Sequence, residues 1–302
     1  MLGNRTKNYL LLHLIVFIWG FTAILGALIT IDAIPLVFFR MGLAVIFIAI
    51  YFLFKKKSFY VDKRGLLKFL ITGIIIALHW IFFFKAIKVS NVSVALVTMS
   101  TGAFFTSLIE PLFFKRKIKL LEIILGLLVI AGLYIIFNFE SQYKLGIIYA
   151  LISSFLGSLF AVLNGLFIKR YSADSISLYQ LLFGTLFVTV YLFLNNSFSV
   201  SFFSLQNSDW IYLLVLSSIC TAYAFIVSVK VMKYLSPYTV MLTINLEPVY
   251  AIILALFIFG DKEKMNPEFY LGACIVLGVV LINGIIKNKS IIKQKILQKV
   301  KK

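Results

Sequence analysis

Two stretches of this chain, 146 positions apart, carry one pattern. Residues 90–132 read SNVSVALVTMSTGAFFTSLIEPLFFKRKIKLLEIILGLLVIAG, and residues 236–278 read SPYTVMLTINLEPVYAIILALFIFGDKEKMNPEFYLGACIVLG. Seven shared positions carry the match: Ser90 and Ser236, Val94 and Val240, Leu96 and Leu242, Phe113 and Phe259, Glu122 and Glu268, Gly126 and Gly272, Gly132 and Gly278. Because a repeat at a fixed spacing indicates a duplicated structural unit, the chain is predicted to consist of two related bundles of helices.

The composition indicates that the solvent of this protein is lipid. Hydrophobic residues make up 62% of the 302 residues, phenylalanine alone occurs 31 times, and only 13% of the residues are charged. A water-soluble surface built from such a chain would expose large apolar patches. We therefore expect an integral membrane protein.

Ten apolar runs are long enough to cross a hydrocarbon core, which takes roughly 20 helical residues. Helix is the expected form, because backbone exposed to lipid must satisfy its own hydrogen bonds. The runs cover about 8–30, 35–54, 66–86, 90–114, 120–138, 144–168, 176–194, 209–229, 236–259 and 267–286. The sequence thus predicts an all-α membrane protein with ten transmembrane helices, five in each copy.

The distribution of lysine and arginine predicts the orientation. With a cytoplasmic N-terminus, 23 basic residues fall in cytoplasmic segments, five fall outside, and Arg40 lies within the membrane. Positive charge favours the cytoplasmic side, so both termini are predicted to be cytoplasmic, in the inner or plasma membrane of the cell. Five helices per copy also give the second copy the opposite orientation. The basic loop 115–119 and its neutral counterpart 261–264 agree with that inversion.

Three segments follow from this layout. Residues 1–138 are predicted to form the first five-helix repeat, residues 139–288 the second, inverted repeat, and residues 289–302 a basic cytoplasmic tail. The tail is either an amphipathic helix on the membrane or a solvated segment. The formal charge of +18 fits contacts with anionic lipid headgroups, so no nucleic-acid partner is expected.

Inverted repeats are the structural basis of alternating access, which makes a transporter the leading hypothesis. The sequence contains no phosphate-binding loop, no dinucleotide glycine pattern and no metal-ligand spacing of histidine and cysteine. We therefore expect no cofactor, no metal site and no enzymatic activity. Transport is then either driven by a gradient, with the proton as the plausible coupling ion, or facilitated.

Four motifs give the chain a family resemblance. They are Trp19-Gly20, Pro35 with Phe38-Phe39-Arg40, Lys85-Ala86-Ile87-Lys88 before Ser93-Val94-Ala95, and Asn245-Leu246-Glu247-Pro248-Val249. Over residues 8–286 the chain resembles an EamA-type member of the drug/metabolite transporter superfamily. The family's usual Gly-Glu after helix nine is Gly260-Asp261 here. The resemblance implies a secondary transporter, most often an exporter of amino acids or related metabolites, with a central cavity between the repeats.

Charged residues inside the predicted helices are candidates for coupling or gating, because a charge at mid-membrane is costly. Arg40 either lines the cavity or extends its side chain to the outer surface. Glu247 precedes Pro248 and has three open roles: binding a cationic group, accepting a proton, or pairing with Arg40. His79 either relays a proton or bonds a neighbouring helix.

Aromatic and polar side chains complete the predicted cavity, although each also has an ordinary role in helix packing. The full set of substrate-cavity candidates is Trp19, Arg40, His79, Trp80, Thr98, Thr101, Asn164, Gln180, Tyr223, Asn245, Glu247 and Tyr250.

Two other functional classes remain open. A membrane-embedded lipid-handling enzyme would need several charged groups converging near one interface, whereas the buried charges of this chain lie at different depths. A passive channel or scramblase would lack saturable, substrate-selective flux. Residues 195–208 are predicted to form either a plain loop or a short lid.

Overall fold

A computed structural model gives the structure of the protein and describes residues 4–115, 117, 120–279, 282 and 286. Over these residues the protein is helical and contains no strand. The helices are α1 (Asn4–Leu28), α2 (Ala33–Phe54), α3 (Lys63–Val89), α4 (Val92–Met99), α5 (Gly102–Phe114), α6 (Leu120–Phe139), α7 (Lys144–Phe167), α8 (Ala173–Leu194), α9 (Val200–Phe203), α10 (Asn207–Ser217), α11 (Ala224–Val231), α12 (Pro237–Ile244), α13 (Glu247–Phe259) and α14 (Pro267–Val279).

Eight helical segments in the described part of the chain are long and apolar enough to cross a membrane. They are Thr6–Leu28, Ala33–Phe54, Lys63–Val89, Val92–Phe114, Ser141–Phe167, Ala173–Leu194, Asn207–Val231 and Pro237–Glu263. The predicted fifth and tenth helices correspond to α6 and α14, in which the apolar stretches Ile124–Phe139 and Pro267–Val279 are shorter than the other eight. Part of the tenth run, residues 280–281 and 283–285, lies outside the described residues, as does the tail 289–302.

Two of the predicted continuous helices are each broken near their middle. The run 90–114 divides at Ser100 and Thr101, and the run 236–259 divides at Asn245 and Leu246. At both breaks backbone N–H groups bond to carbonyls three residues back, and Ser100 N shares its hydrogen between the carbonyls three and four residues back. Pro248 explains the second break, because it has no N–H to donate to the preceding turn. The two breaks occupy corresponding places in the two copies, a feature typical of transporter binding sites.

A third interruption lies in the predicted eighth helix, where Ser218–Tyr223 forms a π-helical segment between α10 and α11. Thr221 stabilises this segment, since its Oγ1 donates to the carbonyl of Leu216, five residues back, at 2.7 Å. A π-helical insertion rotates the residues that follow it and is frequent at functional sites.

The long helices occur in matched pairs. Helices α2 and α8 both have 22 residues, and each ends before a residue with left-handed backbone, Lys56 and Asn196. These two helices start 140 positions apart, whereas the two halves of each broken helix start 145 positions from their counterparts. The second copy gains residues mainly in the connection after α8, which holds the short helix α9.

Packing between the two copies is reciprocal. Helix α1 packs against α13 and α11, and its counterpart α7 packs against α5 and α4. Helix α3 packs against α7 and α8, which places the second copy along most of its length. The interior of the bundle is therefore built from both copies together.

The segment predicted as a plain loop or a short lid contains the short helix α9, so it is not a plain loop. Its helix α9 carries Phe202, which contacts Phe38 at 5.6 Å and stacks on Phe39 at 5.4 Å between ring centroids. Phe198 also packs on Phe38, at 5.7 Å. This aromatic cluster holds the segment against the first half of α2, where Phe39 directly precedes Arg40.

The closest crossing of the two copies depends on glycine. A Cβ added at Gly73 in α3 would lie 2.4 Å from the carbonyl oxygen of Gln180 in α8, and one added at Gly184 would lie 2.7 Å from the carbonyl oxygen of Gly73. Backbone atoms cannot move aside as a flexible side chain can. Small residues at such crossings let helices approach closely in lipid.

Gly73→Ala is therefore expected to destabilise the protein by about 1–3 kcal/mol, because the added methyl group forces α3 and α8 apart. The thermal-unfolding midpoint of detergent-solubilised protein measures the effect. Gly42→Ala in α2 is the matched control, since a Cβ there meets only Thr185 Cγ2 at 3.7 Å. Equal midpoints for the two variants would contradict the close crossing.

Polar contacts join the copies at both ends of the bundle. At the end with few lysines, buried Asp209 accepts from Thr30 N and Thr30 Oγ1 at 2.8 and 2.6 Å. At the same end, buried Glu263 accepts from the backbone of Val92 and Ser93 at 3.0 and 2.9 Å, which caps α4.

At the lysine-rich end the contacts between copies are more exposed. Lys57 pairs with Asp174, and the hydrogen bond from Lys57 to that carboxylate raises the pKa of Lys57. Asp62 pairs with Arg170 at 3.0 Å and accepts a hydrogen bond from Tyr171 Oη at 2.8 Å. The hydrogen bond from Tyr171 is the main reason that the pKa of Asp62 is lowered, and the charge of Arg170 adds to it. Solvent and salt screen exposed ion pairs of this kind, so they contribute little to stability.

Candidate functional site

One cavity of about 100 Å³ lies in the middle of the bundle, between the two copies. It touches both broken helices and the π-helical segment. Its lining combines a few polar or ionisable groups with aromatic, aliphatic and methionine side chains. The residues are Trp19, Thr22, Arg40, His79, Trp80, Phe83, Met99, Gly157, Phe160, Ala161, Cys220, Phe225, Ser228, Met232, Val240, Met241, Ile244 and Glu247.

Arg40 extends inward rather than to the membrane surface, and only 2% of the residue is exposed. Its Nε donates to Thr221 Oγ1 at 2.8 Å, and its guanidinium carbon lies 3.9 Å from the centroid of the Trp80 ring. This stacking over an aromatic face stabilises a cation in a poorly hydrated site. One terminal nitrogen, Nη1, is buried without a hydrogen-bond partner. The guanidinium can therefore still bind an acceptor.

Glu247 is the first residue of α13, directly after the break in the second copy. Its carboxylate lies at the positive end of that helix, which favours a negative charge. Within the described part of the chain it forms no hydrogen bond and no ion pair within 4.0 Å, although it interacts electrostatically with Arg40. The cavity thus contains a guanidinium and a carboxyl group that no ion pair joins.

His79 is bound to α7 by its ring. Its Nδ1 lies 2.8 Å from the carbonyl oxygen of Ser153, and that carbonyl can only accept, so Nδ1 carries a proton. Ser153 Oγ donates in turn to the carbonyl oxygen of His79 at 2.8 Å. In the neutral ring Nε2 is then the acceptor, and it forms no hydrogen bond with the described residues. His79 thus bonds a neighbouring helix, one of its two predicted roles, and this bond leaves Nε2 free.

Aromatic side chains form the apolar wall of the cavity. Trp19 donates from Nε1 to the carbonyl oxygen of Cys220 at 2.9 Å, which fixes the indole against the π-helical segment. Trp80 packs edge-to-face on Phe225 at 6.1 Å, and Phe160 packs on His79 at 5.2 Å. Besides Arg40, His79 and Glu247, the polar side chains that line the cavity are those of Thr22 and Ser228.

Three of the predicted candidates, Asn164, Gln180 and Tyr223, lie outside the central cavity. Gln180 Nε2 donates to Asn164 Oδ1 at 2.7 Å and to Thr72 Oγ1 at 2.8 Å, which joins α8, α7 and α3. Tyr223 is 45% exposed and faces a separate cleft on the outside of the bundle. The amides form a contact between helices and do not line the cavity.

The remaining candidates lie around the helix breaks without lining the cavity. Thr101 Oγ1 is 2.8 Å from the carbonyl oxygen of Thr98 and 2.9 Å from Ser154 Oγ, which stabilises the first break. Asn245 is buried at the second break with its Nδ2 unpartnered. Tyr250 packs edge-to-face on Phe17 at 5.5 Å.

The structure therefore brings five of the twelve predicted residues to one cavity: Trp19, Arg40, His79, Trp80 and Glu247. Sequence reasoning missed the apolar lining, chiefly Phe160, Phe225, Met99 and Met241, and also Thr221, which binds Arg40. Apolar residues carry no sequence signal that separates a cavity wall from a lipid-facing surface. Thr221 could be found only from the π-helical geometry.

Comparisons with known proteins agree with this architecture. The chain is 21% identical to the uncharacterized transporter YxxF of Bacillus subtilis over 72% of this chain and 68% of that protein. It is 25% identical to an uncharacterized transporter of Clostridium kluyveri over 60% of each protein. One solved crystal structure superposes with a TM-score of 0.69 over 94% of this chain and 99% of that chain, at 14% identity, which shows a shared fold.

The sequence profile of the EamA-like transporter family matches residues 6–138 and again residues 144–284. The two matches correspond to the two copies and together cover nearly the whole chain. A multi-pass membrane transporter accounts for the composition, the eight membrane-spanning segments and the central cavity. The chain belongs to the EamA-like transporter family.

Proposed function

We propose that this protein is a secondary transporter that exports amino acids or related small metabolites by alternating access between two inverted five-helix repeats. In this proposal residues 1–138 and 139–288 form the repeats, ten helices span the plasma membrane, and both termini are cytoplasmic. The observation that carries it is the central cavity, where an arginine and a glutamate with free polar atoms face a space bounded by both copies.

The charges of the cavity favour a solute with both an acidic and a basic group. Arg40 offers Nη1 to a carboxylate, and the carboxylate of Glu247 is available to an amino group. Trp19, Trp80 and Phe225 would pack against the apolar part of the same solute. The volume of about 100 Å³ lies below the range of roughly 300–1,000 Å³ for drug-sized ligands, which supports a small substrate.

Alternating access is supported by the contacts at the two ends of the bundle. Breaking the lysine-rich end removes exposed ion pairs, whereas breaking the lysine-poor end strips buried Asp209 and Glu263 of their donors. A buried carboxylate without partners is far more costly than an opened surface pair. The conformation described here would therefore open first at the lysine-rich end, which is the cytoplasmic end in the proposed topology.

Proton coupling has two candidate groups in the cavity. Glu247 would exchange a proton with the solute or with water, and His79 Nε2 is the free ring nitrogen that could accept one. Facilitated diffusion requires neither. A proton-driven exporter would accumulate substrate across a pH gradient in sealed vesicles, and a facilitator would only equilibrate it.

The proposed topology predicts that reporters fused at residue 302 and within the loop 115–119 lie on the cytoplasmic side, where the fluorescent protein is fluorescent and alkaline phosphatase is inactive. Fusions within 261–264 are expected on the opposite side, because an odd number of helices separates these two loops. Paired alkaline phosphatase and fluorescent-protein fusions measure the location. A phosphatase-active fusion at residue 302 would contradict the ten-helix arrangement.

The transport proposal is tested with the purified protein in proteoliposomes. Saturable flux of individual amino acids is expected, together with lower intracellular pools of the same solutes in cells that produce the protein. Flux that rises linearly with concentration and does not discriminate among solutes would support a passive channel instead.

A further inference from the structure

A second cavity, separate from the central one, lies on the outside of the bundle near the lysine-rich end. This cleft of about 500 Å³ runs between α2, the start of α8 and the outer face of the π-helical segment with α11. Its upper part is apolar and includes Phe47, Ile48 and Ile226. Its lower end carries Lys57, Asp174, Lys230 and Lys233. The transporter function proposed above does not use it.

The depth of the cleft matches one leaflet of a bilayer. Ser218 at its deep end and Lys230 at its mouth lie on one helical segment, so about 18 Å separates them at 1.5 Å per residue. Half of a hydrocarbon core is about 15 Å thick. The apolar walls therefore run along the path of a single acyl chain, and the lysines lie at the level of the headgroups.

The charge at the mouth favours an anion. Lys57 is neutralised by its ion pair with Asp174. Lys230 and Lys233 are both exposed, and neither forms a hydrogen bond or ion pair with a described residue. Two uncompensated cations thus stand where the apolar groove meets water. Basic pockets between transmembrane helices are typical binding sites for phospholipid headgroups.

The π-helical segment contributes residues to both the cleft and the central cavity. Its Cys220 lines the central cavity, whereas Ala222 and Tyr223 line the cleft. Thr221 lies between them and accepts the hydrogen bond from Arg40. An occupant of the cleft therefore packs against the same segment that holds Arg40 in place.

From this geometry we infer that the cleft binds one anionic phospholipid, with an acyl chain along α2 and α11 and its phosphate between Lys230 and Lys233. A zwitterionic phospholipid fits the groove but lacks net charge to match the two lysines. A soluble phosphate compound matches the lysines but leaves the apolar walls unfilled.

Native mass spectrometry of the detergent-solubilised protein tests the inference. The protein is incubated with phosphatidylglycerol and phosphatidylcholine in equal amounts, and separately with glycerol 3-phosphate. Selective retention of one phosphatidylglycerol is expected. The double variant Lys230→Gln/Lys233→Gln is expected to bind it about 25-fold more weakly, since each lysine near the headgroups contributes roughly fivefold.

The matched control is Lys55→Gln/Lys63→Gln, which removes two exposed lysines at the same end but outside the cleft. This control is expected to retain the lipid as the unmodified protein does. Ala222→Phe fills the groove and is expected to abolish retention without changing the charge. Equal retention of phosphatidylcholine, equal loss in the control, or binding of glycerol 3-phosphate in place of lipid would each overturn the inference. Because the readout is binding, a failure of the transport proposal would not affect it.

Discussion

Glu247→Gln is expected to reduce transport by at least about 30-fold while leaving the protein folded and inserted. The substitution keeps the size of the side chain but removes the ionisable carboxyl group that shares the cavity with Arg40. In the proposed complex the carboxylate pairs with the amino group of the substrate, and removing one partner of such a buried, hydrogen-bonded charge pair typically costs about 2–5 kcal/mol, which corresponds to this loss or more. Initial rates of substrate flux into proteoliposomes measure the effect.

Glu268→Gln is the control for this variant, because it makes the same chemical change in the first turn of α14, away from the cavity. Its transport rate should equal that of the unmodified protein. Elution volume in size-exclusion chromatography and the amount of protein in the membrane fraction establish folding of both variants. Full activity of Glu247→Gln would remove the carboxylate from the transport site.

Arg40→Ala is expected to have an effect of similar size or larger. It removes the cation over Trp80, the donor to Thr221 and the only guanidinium in the cavity. Arg40→Lys is also expected to lose most activity, because an ammonium group cannot donate to Thr221 through Nε and still present a planar fork to a carboxylate. Concentration dependence of flux separates the two variants, since a rise in KM is expected for Lys.

Arg64→Ala is the matched control, since Arg64 is exposed at the lysine-rich end and lies outside the cavity. Normal transport is expected for that variant. A normal rate in both Arg40 variants would mean that the buried guanidinium is structural, held by Trp80 and Thr221. Transport retained only in Arg40→Lys would mean that charge alone is required.

The sequence predicted the membrane class and most helix positions, because long apolar runs have one stable form in lipid. Helices α1, α2, α7 and α8 begin and end within a few residues of the predicted limits. The interruptions were not predicted. Pro248 offered a signal for one of them, but the break at Ser100 and the π-helical segment depend on contacts with other helices.

The cavity was predicted less completely than the fold. Buried charge identified Arg40 and Glu247, since ionisable groups in a membrane segment are costly and conspicuous. Polarity was a poorer guide for amides, because Gln180 in α8 donates to Asn164 in α7 and neither lines the cavity. Whether a polar side chain faces a cavity or a neighbouring helix depends on its direction around the helix axis, which the sequence does not specify.

By itself, the sequence determined that this protein is a duplicated helical membrane protein, because hydrophobicity and repetition are properties of the chain alone. Only the tertiary structure decided which residues share a cavity. Arg40 and Glu247 lie more than 200 positions apart, and they meet because the helices of one copy pack into the other. Their proximity is a consequence of that packing, which no local pattern encodes.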